Sequence, residues 1–146
     1  MTNRFNKTVL MTDADNFAID ARINPYYHEE SLDLNQARAE HAALVDLYKQ
    51  AGVNVVQVPS PTGSQDGIYT ANWALVRGDK AVMARLPNVR KAEQAYAKKV
   101  LKSLGKTIIT LPKGLRYSGQ GDALACGDYL FCGSGYRSDR EAHNIA

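Results

Sequence analysis

A mixed α/β chain built of repeated ββαβ units is the fold class that the sequence predicts. Three observations carry it. The order strand, strand, helix, strand can be read twice along the chain, with a period of roughly 50–60 residues. Both helical patterns end at a glycine and pass directly into a β-branched run, at Gly52 before residues 53–58 and at Gly105 before residues 107–111. Two pairs of short apolar runs, turning near Gly78 and Gly127, read as hairpins. No close sequence repeat is visible, so the element order alone favours stacked units over a doubly wound sheet.

Thr8-Val9-Leu10-Met11 reads as the first strand. Asn16-Phe17-Ala18-Ile19 reads as a second short extended piece reaching Asn24-Pro25, where the proline biases Asn24 away from helix. Residues 33–51 are the clearest helix. Asp33 and Gln36 make a capping box, and Ala37, His41, Leu44, Tyr48 and Ala51 recur at the spacing of a core-facing stripe. Gly52 stops it, residues 53–58 follow as a buried strand, and residues 59–64, rich in Pro, Ser and Gly, form a loop. Residues 73–76 and 81–83 then pair across Arg77-Gly78-Asp79. A second helix spans about residues 89–104 with Ala92, Tyr96 and Val100 inward, and a strand covers residues 107–111. The last hairpin joins residues 123–125 to 129–131 through Cys126-Gly127-Asp128. Ser138 and Glu141 make another capping box, so a short helix is expected from Asp139. A helix that short is marginal unless packed. It is either a docked terminal cap or the start of a unit cut short, and the fragment reading is favoured.

A length of 146 residues suits a single domain, taken here as residues 1–146, and 45% apolar with 23% charged residues suits a soluble globular protein. No apolar run approaches the ~20 residues of a membrane span, and the N-terminus does not read as a signal peptide. The net charge of +3 is small, and the basic residues between Arg85 and Lys106 are interleaved with Ala and Val in a helical pattern. That is a solvated helix face, so nucleic acid is not an expected partner. Two cysteines, Cys126 and Cys132, make no disulfide framework, which leads to the expectation of a reduced, cytoplasmic compartment. His28, His41 and His143 are isolated and the cysteines are too far apart for a CxxC site, so no metal is expected. Gly119-Gln120-Gly121 lacks the third glycine and following helix of a phosphate loop, and no cofactor is expected.

Three segments concentrate glycine next to charged or polar residues, the pattern of loops that carry sites. They are residues 66–72, residues 117–124 and residues 133–139. Asp66-Gly67-Ile68-Tyr69-Thr70-Ala71-Asn72 resembles the D-x-V-F-T-A-N segment of the guanidino-modifying enzymes, which include amidinotransferases, arginine and agmatine deiminases and dimethylarginine dimethylaminohydrolases. Tyr117-Ser118-Gly119-Gln120-Gly121-Asp122-Ala123-Leu124 is similar to that family's F-E-G-x-G-D-A-L. Gly135-Tyr136-Arg137-Ser138-Asp139, with His143 four residues on, is similar to its G-x-R-T/S-D-x-x-x-H. Ile23-Asn24-Pro25 and Arg90-Lys91-Ala92-Glu93 resemble weaker family signatures. The match is collinear along nearly the whole chain.

The resemblance implies a pseudo-fivefold α/β propeller of ββαβ units around a central site, of which this chain covers about half, the N-terminal half. It implies a guanidinium substrate, held by carboxylates through charge-assisted hydrogen bonds, and a cysteine nucleophile with a proton-shuttling histidine. By resemblance, Asp66 binds the guanidinium, with turn capping as the alternative, and Arg137 holds a substrate carboxylate or organises the rim, or is a plain surface arginine. Asp122 is expected to brace the glycine turn, and Asn72 to bracket backbone. Met11, Thr12, Asp13 and Ala14 end the first strand, where the family places a substrate-covering loop, so they read either as a plain strand end or as that loop. His41 reads as a satisfied core histidine, His28 as a loop residue, and His143 as a residue of the last helix. Two departures matter. Ser118 stands where the family has glutamate, and a hydroxyl cannot neutralise a cation. Cys126, in a turn, and Cys132, at a strand end, lack an adjacent base and read as structural, so the catalytic Cys and His are expected from a C-terminal half. The expected partners are a small guanidino or amino-acid substrate, that C-terminal half, and, through open apolar faces, further copies as a homo-oligomer. The expectation is a substrate-binding half that is inactive alone, against a non-enzymatic binding module of the same fold.

Overall fold

The computed structural model describes residues 7–23, 27 and 31–146. Asn24, Pro25 and His28 lie outside the described residues. The chain divides into two units, Met1–Tyr69 and Thr70–Ala146.

In the first unit β1 (Thr8–Thr12) and β2 (Asn54–Val58) pair in parallel, from Thr8↔Asn54 to Thr12↔Val58. The crossover carries α1 (Leu34–Gln50). The unit is therefore βαβ among the described residues. The extended piece expected at residues 16–19 joins no strand, and Asn16 ties to Ser60 instead of to a sheet. Its N–H donates to Ser60 Oγ at 3.1 Å and its amide to Ser60 O at 2.9 Å. Asp33 caps α1, its Oδ1 accepting from Gln36 N at 3.0 Å. The Gln36 side chain reaches forward to Glu40 at 2.8 Å, so only half of the capping box forms. The expected core stripe is also narrower. Ala37 and His41 are half-buried and Val45 is buried, one i, i+4 row, whereas Leu44, Tyr48 and Ala51 are exposed. Gly52 takes φ 77° and ends the helix as expected. The valines of β2 are half-buried.

The second unit opens with a complete ββαβ. The strands β3 (Ala74–Arg77) and β4 (Lys80–Met83) form an antiparallel hairpin. A 3-10 turn at Asn88–Arg90 leads into α2 (Lys91–Ser103), and β5 (Thr107–Thr110) returns parallel to β4. The buried face of α2 is Glu93, Ala97, Val100 and Leu101, while Ala92 is exposed and Tyr96 half-buried. The stripe sits one residue round from the apolar pattern because a carboxylate belongs to it. After a 3-10 turn at Gly119–Gly121 come β6 (Ala123–Cys126) and β7 (Tyr129–Cys132), a second antiparallel hairpin. Cys126 pairs with Tyr129 and so ends β6 rather than occupying the turn. The last helix, α3 (Arg140–His143), has Asp139 as its N-cap. Ser138 does not cap it, because its hydroxyl donates to Asp122 instead. Leu75, Val82, Leu111, Tyr117, Ala123 and Ala142 form the core of this unit. No described helix is long and apolar enough to cross a membrane.

Candidate functional site

The first unit places Asp66 at the end of a series of tight turns, Ser64 N to Pro61 O and Gly67 N to Ser64 O. Gly67 is required there, since a Cβ would lie 2.5 Å from the Pro61 ring. Asp66 is buried, and its Oδ1 accepts from the Tyr27 hydroxyl at 2.8 Å. Burial, then the neighbouring Tyr69 hydroxyl and the Asp66 carboxylate, push the Tyr27 phenol far up, so it stays a neutral donor. Tyr27 joins Asp66 in the candidate site, and sequence reasoning missed it. Its only signal was an aromatic in a polar loop.

The end of β1 is also pinned. Asp13 Oδ1 accepts from Ser60 N at 3.1 Å, Ser60 Oγ at 2.5 Å and Asp15 N at 3.1 Å. Burial raises the Asp13 carboxyl, but the hydrogen bonds from Ser60 and the backbone, helped by His41, leave it below its ordinary value. Thr12 and Ala14 beside it are buried.

The second unit brings Asn72, Ser118, Asp122 and Arg137 into one hydrogen-bonded chain. Asn72 Nδ2 donates to Ser118 O at 3.2 Å and to Ser118 Oγ at 2.9 Å. Its Oδ1 accepts from Arg90 NH1 at 3.1 Å, which fixes which way the amide points. Arg90 in turn forks onto Glu93, Nε to Oε1 at 2.8 Å and NH2 to Oε2 at 2.7 Å. Trp73 Nε1 donates to the same carboxylate at 3.3 Å. A fully buried glutamate is tolerable only with partners of this quality. On the other side, Ser118 N donates to Ser138 Oγ at 3.0 Å, and Ser138 Oγ donates to Asp122 Oδ2 at 2.7 Å. Arg137 NH2 bridges Asp122 Oδ1 and Gly121 O. Arg90, Glu93 and Ser138 were not picked as site residues. The i, i+3 spacing of Arg90 and Glu93 was the available signal for that pair.

The glycines of residues 119–121 have a steric reason. Gly119 takes φ 60°, and a Cβ there would lie 2.9 Å from Ala71 O and the Ala74 backbone. A Cβ on Gly121 would lie 2.3 Å from Asn72 Nδ2. The 3-10 turn at Thr70–Asn72 can touch the one at Gly119–Gly121 only because both glycines lack a side chain. Both carboxylate oxygens of Asp122 accept from the neighbouring segment, Oδ1 from Arg137 and Oδ2 from Ser138, and the amide of Asn72 brackets the Ser118 carbonyl.

The remaining candidates sit apart from this chain of bonds. Cys126 and Cys132 are exposed, and what desolvation Cys132 has pushes its thiol up, away from thiolate. His143 Nε2 donates to Gly133 O at 2.7 Å while its ring meets Tyr117 edge-on at 5.7 Å. Arg116 grips Asp139 through Nε at 3.0 Å and NH2 at 2.7 Å, which holds that carboxyl below its ordinary value. Among the described residues, no three His, Cys, Asp or Glu side chains gather as a metal centre would require.

A sequence profile of the family described as N,N dimethylarginine dimethylhydrolase, eukaryotic, matches residues 6–135. The bifunctional arginine dihydrolase/ornithine cyclodeaminase AgrE of Nostoc sp. is 34% identical over 150 residues, covering 98% of this chain and 21% of AgrE. The N(G),N(G)-dimethylarginine dimethylaminohydrolase of Mycobacterium tuberculosis is 32% identical over 136 residues, covering 91% of this chain and 44% of the relative. The crystal structure of the N-terminal domain of ArgZ bound to product, an arginine dihydrolase of the cyanobacterial ornithine-ammonia cycle, superimposes with a TM-score of 0.88 at 30% identity. That superposition covers 97% of this chain and 53% of the ArgZ domain. The chain thus spans between 21% and 53% of the length of these relatives.

Proposed function

The chain belongs to the N,N dimethylarginine dimethylhydrolase family, and from that premise we propose that it is the N-terminal, substrate-binding part of a hydrolase cleaving C–N bonds of an arginine-like guanidino compound. The collinear match to AgrE over 98% of the chain carries this reading. Hydrolysis is preferred to amidino transfer because these relatives are an arginine dihydrolase and a dimethylaminohydrolase. The complete ββαβ of the second unit fits one blade of a pseudo-fivefold propeller of which this chain forms about half. The protein is taken to work in the cytoplasm.

In this reading Asp66 meets the guanidinium, a planar cation that pairs well with a carboxylate held by a neutral donor such as Tyr27. Arg137, anchored on Asp122, offers its remaining N–H groups to a substrate carboxylate. Asn72 acts through Ser118 rather than on substrate directly, since both of its N–H groups are spent there. The nucleophilic cysteine and proton-shuttling histidine come from a C-terminal half, because Cys126 and Cys132 are exposed hairpin residues and desolvation pushes the Cys132 thiol up, away from thiolate. The test is to mix the chain with such a half and follow citrulline, ornithine and ammonia release from arginine and dimethylarginine. Turnover is expected from the mixture and from neither part alone. Turnover by the 146-residue chain by itself overturns the split-site reading.

The neutral hydroxyl of Ser118, accepting from Asn72, favours a second reading as a binding module without chemistry. Calorimetric binding of a guanidino compound by the completed protein, with no product formed, selects it. Activity gained in Ser118→Glu rejects it.

A further inference from the structure

Arg116 takes no part in the run of bonds that ends at Arg137, yet it holds the same segment. Its neighbour Tyr117 is fully buried and pairs with Arg85 as an isolated β-bridge. Neighbouring side chains on such backbone point opposite ways, so the burial of Tyr117 turns Arg116 outward from a main chain that the core fixes.

All three guanidinium nitrogens of Arg116 are spent on residues 135–139. Nε and NH2 donate to Asp139 Oδ1 at 3.0 and 2.7 Å. NH1 donates to Tyr136 O at 3.0 Å, and NH2 also reaches Gly135 O at 3.1 Å. The main chains join too, Arg116 N donating to Asp139 Oδ2 at 2.6 Å and Asp139 N to Arg116 O at 3.0 Å. These acceptors lie on both sides of Arg137 in the chain. Between them runs a turn in which Gly135, at φ 114°, donates its N–H to Ser138 O at 2.9 Å. A rigid planar fork can meet acceptors spread in this way, and a single ammonium cannot. Asp139 is the N-cap of α3 but gives that helix no side-chain bond, so its carboxylate serves Arg116 instead.

The Arg116 side chain is 57% exposed, and ion pairs so exposed add little to global stability. What the clamp achieves is therefore local. Arg137 is held at its tip, where NH2 bonds Asp122 Oδ1 and Gly121 O. Its Nε and NH1 make no hydrogen bond among the described residues. With the tip held by Asp122, the direction in which those groups face depends on the turn beneath them.

We propose that Arg116 is a positioning residue for Arg137: it clamps the turn that carries Arg137, so that the unbonded edge of that guanidinium meets the carboxylate of a guanidino amino acid. Arg116 then favours such substrates over guanidines without a carboxylate. The inference rests on the proposed function in one respect, that Arg137 meets a substrate carboxylate.

Two measurements test it. In the chain alone, Arg116→Gln should lower the backbone order parameters of residues 136–138 from about 0.85 to below about 0.6 by nitrogen-15 relaxation. Its melting temperature should move by less than about 5 °C. The second measurement uses the chain joined after Ala146 to the rest of the ArgZ N-terminal domain, with calorimetric binding of L-arginine and of agmatine, the same guanidine without the carboxylate. Arg116→Gln should weaken arginine about 10-fold and leave agmatine unchanged, the size of one misplaced charge-assisted pair. Arg116→Lys, which keeps the charge but not the fork, should fall between parent and Arg116→Gln. Arg137→Ala should remove most of the preference for arginine. Unchanged order parameters, unchanged arginine affinity, or equal losses for both ligands overturn the proposal, the last by making Arg116 merely structural. If Arg137→Ala lowers the preference and Arg116→Gln does not, the positioning role fails and the reading of Arg137 stands. If Arg137→Ala leaves the preference intact, that reading fails and takes the positioning role with it.

Discussion

Gly119 and Gly127 share a backbone angle, φ 60°, and differ in their surroundings. A Cβ at Gly127 meets nothing within 4 Å, whereas one at Gly119 drives into the backbone of Ala71 and Ala74. Gly127→Ala should therefore cost about 1 kcal/mol, the conformational term alone. Gly119→Ala should cost more than about 2 kcal/mol, because backbone must also move. Urea melts of both variants measure the difference, and equal costs would mean that the two turns do not press on one another as described. The sequence marked Gly119 and Gly121 as special without showing why, since the atoms they make room for lie far back along the chain, in Ala71, Asn72 and Ala74. Glu93 was illegible for a related reason. A carboxylate in a helical stripe reads as solvent-facing until its partners, Arg90 and Trp73, are known to sit over it.

Helix ends show what local sequence can and cannot specify. Asp33 caps α1 as its spacing suggests, so Asp33→Ala should destabilise by about 1 kcal/mol. The same spacing at Ser138 and Glu141 made no Ser138 cap, because Asp122 and Ser118 N recruit that hydroxyl first. Ser138→Ala should accordingly leave α3 helicity unchanged while loosening residues 118–122, seen as faster exchange of the Ser118 amide. Loss of α3 with an unaltered Ser118 amide would restore the capping role. Strand and helix existence was legible from periodicity and glycine stops. Which face each helix buries was not, since one narrow row on α1 and a carboxylate on α2 decide it through tertiary contacts.

For the molecule as a whole, acid is the condition to which the fold should be most sensitive. Asp13 and Asp139 both sit below their ordinary carboxylate value in the folded chain. Groups depressed in this way stabilise fully above the unfolded value, and their contribution is lost as pH falls through the folded one. Stability should therefore drop between about pH 5 and pH 2. Asp13→Asn should be less stable at neutral pH and show a shallower acid limb in thermal melts. An acid limb as steep as that of the parent chain would remove Asp13 from the account. The α/β class and the order of elements were legible along the chain, while the loss of the second strand from the first unit was not, because Asn16 is claimed by a serine far along the sequence. The parallel register of β1 with β2 also sets a timetable. Thr8 and Asn54 are 46 residues apart, against 28 between Gly78 and Lys106 at the foot of β4 and β5. Closing the longer loop costs only about 0.4 kcal/mol more. Timing is affected more than energy: β1 leaves the ribosome first, yet it has no strand to pair with in its sheet until α1 has been made and β2 has followed it.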